Sequence, residues 1–359
     1  MKSDRRTLSR PLDLAAAGIL PPERLGPVGE VAKRYALSLT PDIVELIDPA
    51  NPDDPIARQF IPDPAELDTQ PHESADPIGD RAHSPLAGIV HRYPDRVLLT
   101  PIHVCAAYCR FCFRRETVGH RRALSRAQLD AALGYIRSHE EIWEVILSGG
   151  DPLVLSARRL ARIIDAIAAV AHVKIIRVHT RIPVVSPGRV TRSLVHTLKA
   201  SGKATYVVLH ANHVRELSPK ARAVCARLID AGIPMLSQTV LLRGINDNAQ
   251  SLGALMRALV ECRVKPYYLH HGDLAPGTAH WRISIEDGQA LMRGLRGRLS
   301  GLCQPAYVLD IPGGHGKAPI GPSYLAHVGN GSCQYEVEDF NGRRHVYPAD
   351  GRPRPSGYE

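Results

Sequence analysis

A chain of 359 residues, 44% of them hydrophobic, can bury a substantial core, and its length suits one large α/β domain with appendages. No apolar run approaches the ~18 residues that span a bilayer, and the first twenty residues lack the apolar centre and small-residue cleavage site of a secretory signal, so a cytoplasmic protein is expected. The net charge of +9 is spread along the chain and balanced locally by Asp and Glu, which argues against a nucleic-acid stripe; seven cysteines, three of them crowded together, do not make the spaced framework of a small secreted fold.

Residues 1–90 mix short helical stretches (VGEVAKRYALSL, PDIVELI) with a Pro/Asp-rich connector, and predict an irregular helical extension wrapped on the main domain. Apolar, β-branched runs at 97–101, 143–148, 173–179, 204–210, 234–241 and 264–270 predict buried strands. Each is followed by an amphipathic stretch of helical spacing, from SRAQLDAALGYIRSH after the first to ISIEDGQALMRGLRGRLSG after the last. Six β-then-α units predict a parallel sheet over residues 91–318, open or curled into a partial barrel, with chemistry at the carboxyl ends of the strands. Residues 319–359 predict an extended, hairpin-like tail turning at Asn341 and Gly342.

The first strand runs into HVCAAYCRFCFRR, where Cys105, Cys109 and Cys112 form a C-x3-C-x2-C triplet. Three thiolates can hold an iron–sulfur cluster and leave one iron open to a small molecule. Zinc is the rival, with His103 and His120 as the nearby candidates, but structural zinc favours paired C-x2-C motifs or added histidines at regular spacing. The second strand ends in Ser148, Gly149, Gly150, Asp151 and Pro152, whose glycines allow close backbone approach. Near the end of the barrel lies VLDIPGGHGKAPI, holding Lys317, one of eight lysines in the chain. A phosphate-binding P-loop would need Gly where Ile311 stands and Ser or Thr where Ala318 stands; a glycine-rich loop presenting one lysine suits a Schiff base with an aldehyde cofactor.

The triplet after a first strand, with an aromatic residue before its third cysteine, resembles the radical S-adenosylmethionine (radical SAM) superfamily. Together with PGGHGK the pattern resembles the lysine 2,3-aminomutase family, from about residue 91 through Lys317 and more loosely into the tail. The resemblance implies a partial (β/α)6 radical SAM barrel, a [4Fe-4S] cluster on Cys105, Cys109 and Cys112, S-adenosylmethionine and pyridoxal 5′-phosphate (PLP). Ser148, Gly149, Gly150, Asp151, His210 and Gln238 fall at its S-adenosylmethionine positions, Lys317 at its Schiff-base lysine, and Arg92 and Arg96 at its PLP-phosphate arginines. Arg114 matches its substrate-carboxylate arginine, and Asp273 and Asp310 the paired acids that receive the ε-ammonium of lysine. The implied reaction moves the amino group of L-lysine from C2 to C3, fed by an electron donor of flavodoxin or ferredoxin type, and a homo-oligomer is open.

Two departures stand out. Fuller family members bind structural zinc through C-terminal cysteines, whereas this tail has only Cys333 and the upstream position is Asn248, so no structural zinc is expected. The shorter, proline-rich N-terminus leaves open the branch that serves modification of an elongation factor, or another amino acid as substrate. From another class, a radical SAM modification enzyme without PLP also stays open.

Overall fold

The computed structural model describes residues 6–119, 123–328 and 334–348. Its centre is a nine-stranded sheet in which sequence order and spatial order coincide. Strand β1 (Ile89–Tyr93) pairs antiparallel with β2 (Arg96–Ile102). From β2 the sheet continues in parallel through β3 (Glu144–Gly149), β4 (Ile175–Thr180), β5 (Ala204–His210), β6 (Met235–Val240), β7 (Val264–His270) and β8 (Ala306–Ile311). It ends in antiparallel β9 (Gly316–Pro319). No pairing joins β1 to β9 among the described residues, so the barrel is open.

The six predicted strands are β2 to β7. Two pieces of sheet were not foreseen: β1, and the β8–β9 hairpin, whose AYVLDI half continues the parallel run while PGGHG makes the turn. A glycine loop written as a ligand cradle and one written as a hairpin turn use the same residues, because both need positive φ; Gly313, Gly314 and Gly316 stand at +84°, +89° and +90°.

Four short helices precede the barrel, α1 (Pro11–Ala16), α2 (Leu25–Arg34), α3 (Pro41–Val44) and α4 (Ala57–Phe60). The outer layer is α5 (Arg126–Ser138), α6 (Ala157–Ala168), the single turn α7 (Ile182–Val185), α8 (Arg192–Lys199), α9 (Pro219–Asp230), α10 (Ala249–Glu261) and α11 (Ile285–Leu295). Ser125, Ser156, Thr191, Ser218, Asn248 and Ser284 each accept the N3 amide of the helix that follows, so every long outer helix starts on a side-chain cap. In α6 the residues Leu160, Ile163, Ile164 and Ile167 recur at helical spacing and are wholly buried against the sheet. Asn248 is the cap of α10: its Oδ1 accepts from Ser251 N at 2.8 Å. Cys333 and His120 lie outside the described residues.

The N-terminal extension is bound to the barrel by buried charge. Glu66, with no exposed surface, accepts Arg110 at 2.6 Å and also pairs with Arg115; Asp54, equally buried, pairs with Arg215. In the tail, β10 (Leu325–His327), β11 (Tyr335–Glu338) and β12 (Arg344–Tyr347) form a separate three-stranded antiparallel sheet. The expected turn lies between its last two strands, where Gly342 takes φ +81° and Asp339 Oδ1 accepts the amides of Asn341 and Arg343.

Candidate active site

The loop after β2 carries the three cysteines, and its shape is fixed from both sides. Inside, Gly150 N donates to Ile102 O at 2.7 Å and Asp151 N to Val104 O at 3.0 Å. The approach is so close that a Cβ on Gly150 would lie 2.4 Å from Val104 O, so this glycine serves backbone-to-backbone packing. Outside, the loop rests on the extension: Arg110 N donates to Gln59 O at 2.9 Å, Tyr108 N to Ser38 O at 3.0 Å, and the Arg110 side chain to Ala36 O and Glu66.

Burial pushes the Cys105 thiol well up, with Asp151 adding to it, and the Cys112 thiol up to about 11. Metal binding therefore has to displace protons at neutral pH. Cys109 Sγ accepts a hydrogen bond from Arg181 Nη1 at 2.7 Å. Among the described residues no group of three His, Cys, Asp or Glu converges on one metal ion; thiolates of a cluster bind separate irons and need no common point.

Asp151 accepts from Thr180 Oγ1 at 2.8 Å, Arg181 N at 2.7 Å and Leu153 N at 3.0 Å, so its carboxylate ties the ends of β3 and β4 together. His210 ends β5. Because Asn212 Oδ1 already accepts Val240 N, it must also be the acceptor for His210 Nε2 (3.2 Å), which puts the proton on Nε2. Burial, then Arg181 and His270, hold His210 well below the usual imidazole range, so it is neutral.

At the other side of the sheet the β8–β9 register sets Asp310 opposite Lys317, and their side chains pair at 2.5 Å. The second Asp310 oxygen lies 3.4 Å from His270 Nδ1. Burial alone would raise Asp310, but His270 and Lys317 outweigh it and hold the carboxyl at about 2. Asp273, on the loop after β7, has no ion-pair or hydrogen-bond partner for its side chain among the described residues. Burial, reinforced by the charge of Asp310, pushes it up to about 7.

The three arginines separate. Arg92 and Arg114 share Asp80, at 2.9 and 2.7 Å, and Arg114 Nη1 also donates to Ser148 Oγ at 3.3 Å. Arg96 opens β2, so it sits at the amino end of the barrel, paired with Asp95 at 2.8 Å and lying over the Tyr93 ring. Chemistry confined to the carboxyl-end rim would not include it. All fifteen candidate side chains nevertheless line one cavity of about 690 Å³ that runs down the barrel lumen. This volume is in the range of small-molecule sites.

The donor set fits the expected groups. The Nε atoms of Arg92 and Arg177 are buried without a partner among the described residues and line this cavity, as an oxyanion such as a phosphate requires. The buried Nε of Arg181 is likewise unpartnered beside the cysteine loop. Residues not named as site candidates also converge here: Asp80, His179, Arg177, Tyr268 and His270. His179 Nε2 is buried without a partner among the described residues, and burial followed by Arg177 holds this imidazole far below its usual range.

Comparison with known proteins gives two profile matches, the radical SAM superfamily over residues 99–252 and lysine-2,3-aminomutase over residues 292–350. L-lysine 2,3-aminomutase of Clostridium subterminale is 40% identical over 83% of this chain and 72% of its own length. The chain belongs to the lysine 2,3-aminomutase family. Within that family it is also 36% identical to glutamate 2,3-aminomutase of Clostridioides difficile, over 84% of this chain and 71% of that protein, and 36% identical to L-lysine 2,3-aminomutase of Escherichia coli, over 81% and 85%. This lysine 2,3-aminomutase family member is thus an isomerase of the radical SAM class, and the family implies a [4Fe-4S] cluster, S-adenosylmethionine and PLP. Among the described residues no helix is long and apolar enough to cross a membrane.

Proposed function

We propose that this chain converts L-lysine to β-lysine, and the observation that carries the reading is Asp273. A partnerless carboxylate facing a second one across a lumen is costly unless a cation arrives between them, and the side chain of lysine supplies that cation. Glutamate would add a third negative charge at the same place.

The cofactors, when bound, supply a carbon-centred radical and an aldehyde through which an amino group can migrate. The remaining work belongs to this chain. Cys105, Cys109 and Cys112 hold the cluster; Ser148, Gly149, Gly150, Asp151, His210 and Gln238 shape the S-adenosylmethionine side; Arg92 and Arg96 take the PLP phosphate. Lys317 would hold the PLP aldehyde through its amine, and Asp310 and Asp273 would receive the substrate ammonium. Arg114 meets the substrate carboxylate, oriented by Asp80. A reducing cytoplasm and a small flavodoxin- or ferredoxin-type donor suit such a cluster, and a homo-oligomer is part of the same reading.

The test is anaerobic reconstitution with iron, sulfide, PLP, S-adenosylmethionine and a reductant, followed by product analysis with free lysine, glutamate and other amino acids. β-Lysine from free lysine is the expected product. A β-amino acid from another substrate and none from lysine would overturn the assignment. Absorbance of bound PLP near the visible edge, lost in Lys317→Ala, separates the reading from a radical SAM enzyme that uses no PLP.

A further inference from the structure

We infer that Arg181 is a positioning residue for the iron–sulfur cluster and sets its reduction potential, through a hydrogen bond to Cys109 and a buried charge metered by Glu216. The inference rests on the reading of Cys109 as a cluster ligand.

Arg181 follows β4 and is almost completely buried. Its backbone is fixed by Asp151, which in turn bonds Val104 of the cysteine loop. One end of the guanidinium donates to Cys109 Sγ at 2.7 Å, and the other donates to Glu216 Oε2 at 2.7 Å and Gln59 Oε1 at 2.5 Å. The rings of Phe60 and Phe111 lie 4.5 and 5.5 Å from its centre. Glu216 is wholly buried and its other oxygen accepts Asn212 N, His213 N and Gln59 Nε2. The carboxylate therefore cannot swing away, and the fork is aimed by it at the cysteine.

A guanidinium stays protonated under all ordinary conditions, so it acts here as a fixed positive charge. Adding one electron to a cluster increases negative charge on its sulfurs. A donor and a cation beside one ligand sulfur stabilise the reduced form more than the oxidised form, and low polarity strengthens the effect. Glu216 works in the opposite direction, since its negative charge offsets part of the cation. A residue that merely tied β4 to the extension would not need a sulfur acceptor.

The experiment uses the full chain reconstituted with iron and sulfide under anaerobic conditions, and a potentiometric titration followed by the electron paramagnetic resonance signal of the reduced cluster. Arg181→Gln is expected to move the midpoint potential to more negative values. Arg181→Lys, which keeps the charge and loses the fork, is expected between wild type and Arg181→Gln, and Glu216→Gln is expected to move the potential to more positive values. Iron and sulfide content, measured first, restricts the comparison to loaded protein. Loaded Arg181→Lys and Glu216→Gln at the wild-type potential overturn the inference, whether or not Arg181→Gln loads. A wild-type chain that takes up no four-iron cluster overturns the ligand reading beneath it and is recognised before any potential is read.

Discussion

Asp273 and Asp310 are chemically identical side chains held at opposite ends of the carboxyl range. Asp310, gripped by His270 and Lys317, sits at about 2, and Asp273, desolvated and near the charge of Asp310, sits at about 7. A cationic substrate needs the ionised form of Asp273, which is scarce below pH 7 and dominant above it. KM for lysine should therefore fall as pH rises through about 7, and steady-state kinetics across that window should show the dependence vanish in Asp273→Asn. A charge-assisted hydrogen bond is worth ~1.5–3 kcal/mol, so the same variant should raise KM by roughly 10- to 100-fold. The linkage in the ligand-free protein has the reverse sense: a carboxyl raised above its unfolded value near 4 costs stability progressively as pH rises from there to about 7. Asp273→Asn should therefore flatten the denaturation midpoint over that interval. The identities of these acids were legible in the sequence through the family resemblance. Their division of labour was not, because it comes from His270 and from the β8–β9 register.

At the scale of elements, strands β2 to β7 and the six long outer helices were readable from period alone, since each strand is a continuous apolar run and each helix begins on Ser, Thr or Asn. What periodicity could not show is where loops touch. Gly79 of the extension takes φ +67°, and a Cβ there would stand 2.3 Å from Gly314 N. Gly79→Ala should push the hairpin that bears Lys317 and weaken PLP binding, read by titration of the cofactor absorbance, with little change in iron content. Asn248→Ala removes the α10 cap and should cost ~1 kcal/mol, measured as a lower urea midpoint, without altering turnover per folded molecule. Asp80 escaped notice for the same reason as Gly79: a carboxylate in a Pro/Asp-rich connector looks like any turn residue until Arg92 and Arg114 are seen to share it.

For the whole molecule, part of the positive charge that the sequence spreads along the chain is internal. Arg110, Arg115 and Arg181 are buried and discharged against Glu66 and Glu216, and the extension contributes Glu66 and Gln59 to them. Breaking a buried pair by neutralising one partner typically costs ~3–5 kcal/mol, so Glu66→Gln should lower stability by about that much and reduce cluster loading, seen in the iron-to-protein ratio. Replacing residue 66 leaves two guanidiniums without a counter-charge, so the loss should exceed that of any exposed pair, such as Lys33 with Glu30.

The position of Arg110 between two of the cysteines has a consequence for maturation. Its guanidinium is shut in on Glu66 and its amide is bonded to Gln59, so the shape of this peptide is held by contacts within the chain itself. A loop held in this way predicts an order of assembly in which the chain folds first and the cluster enters second. The backbone amides of Tyr108, Arg110 and Cys112 should then resist hydrogen exchange even in metal-free protein.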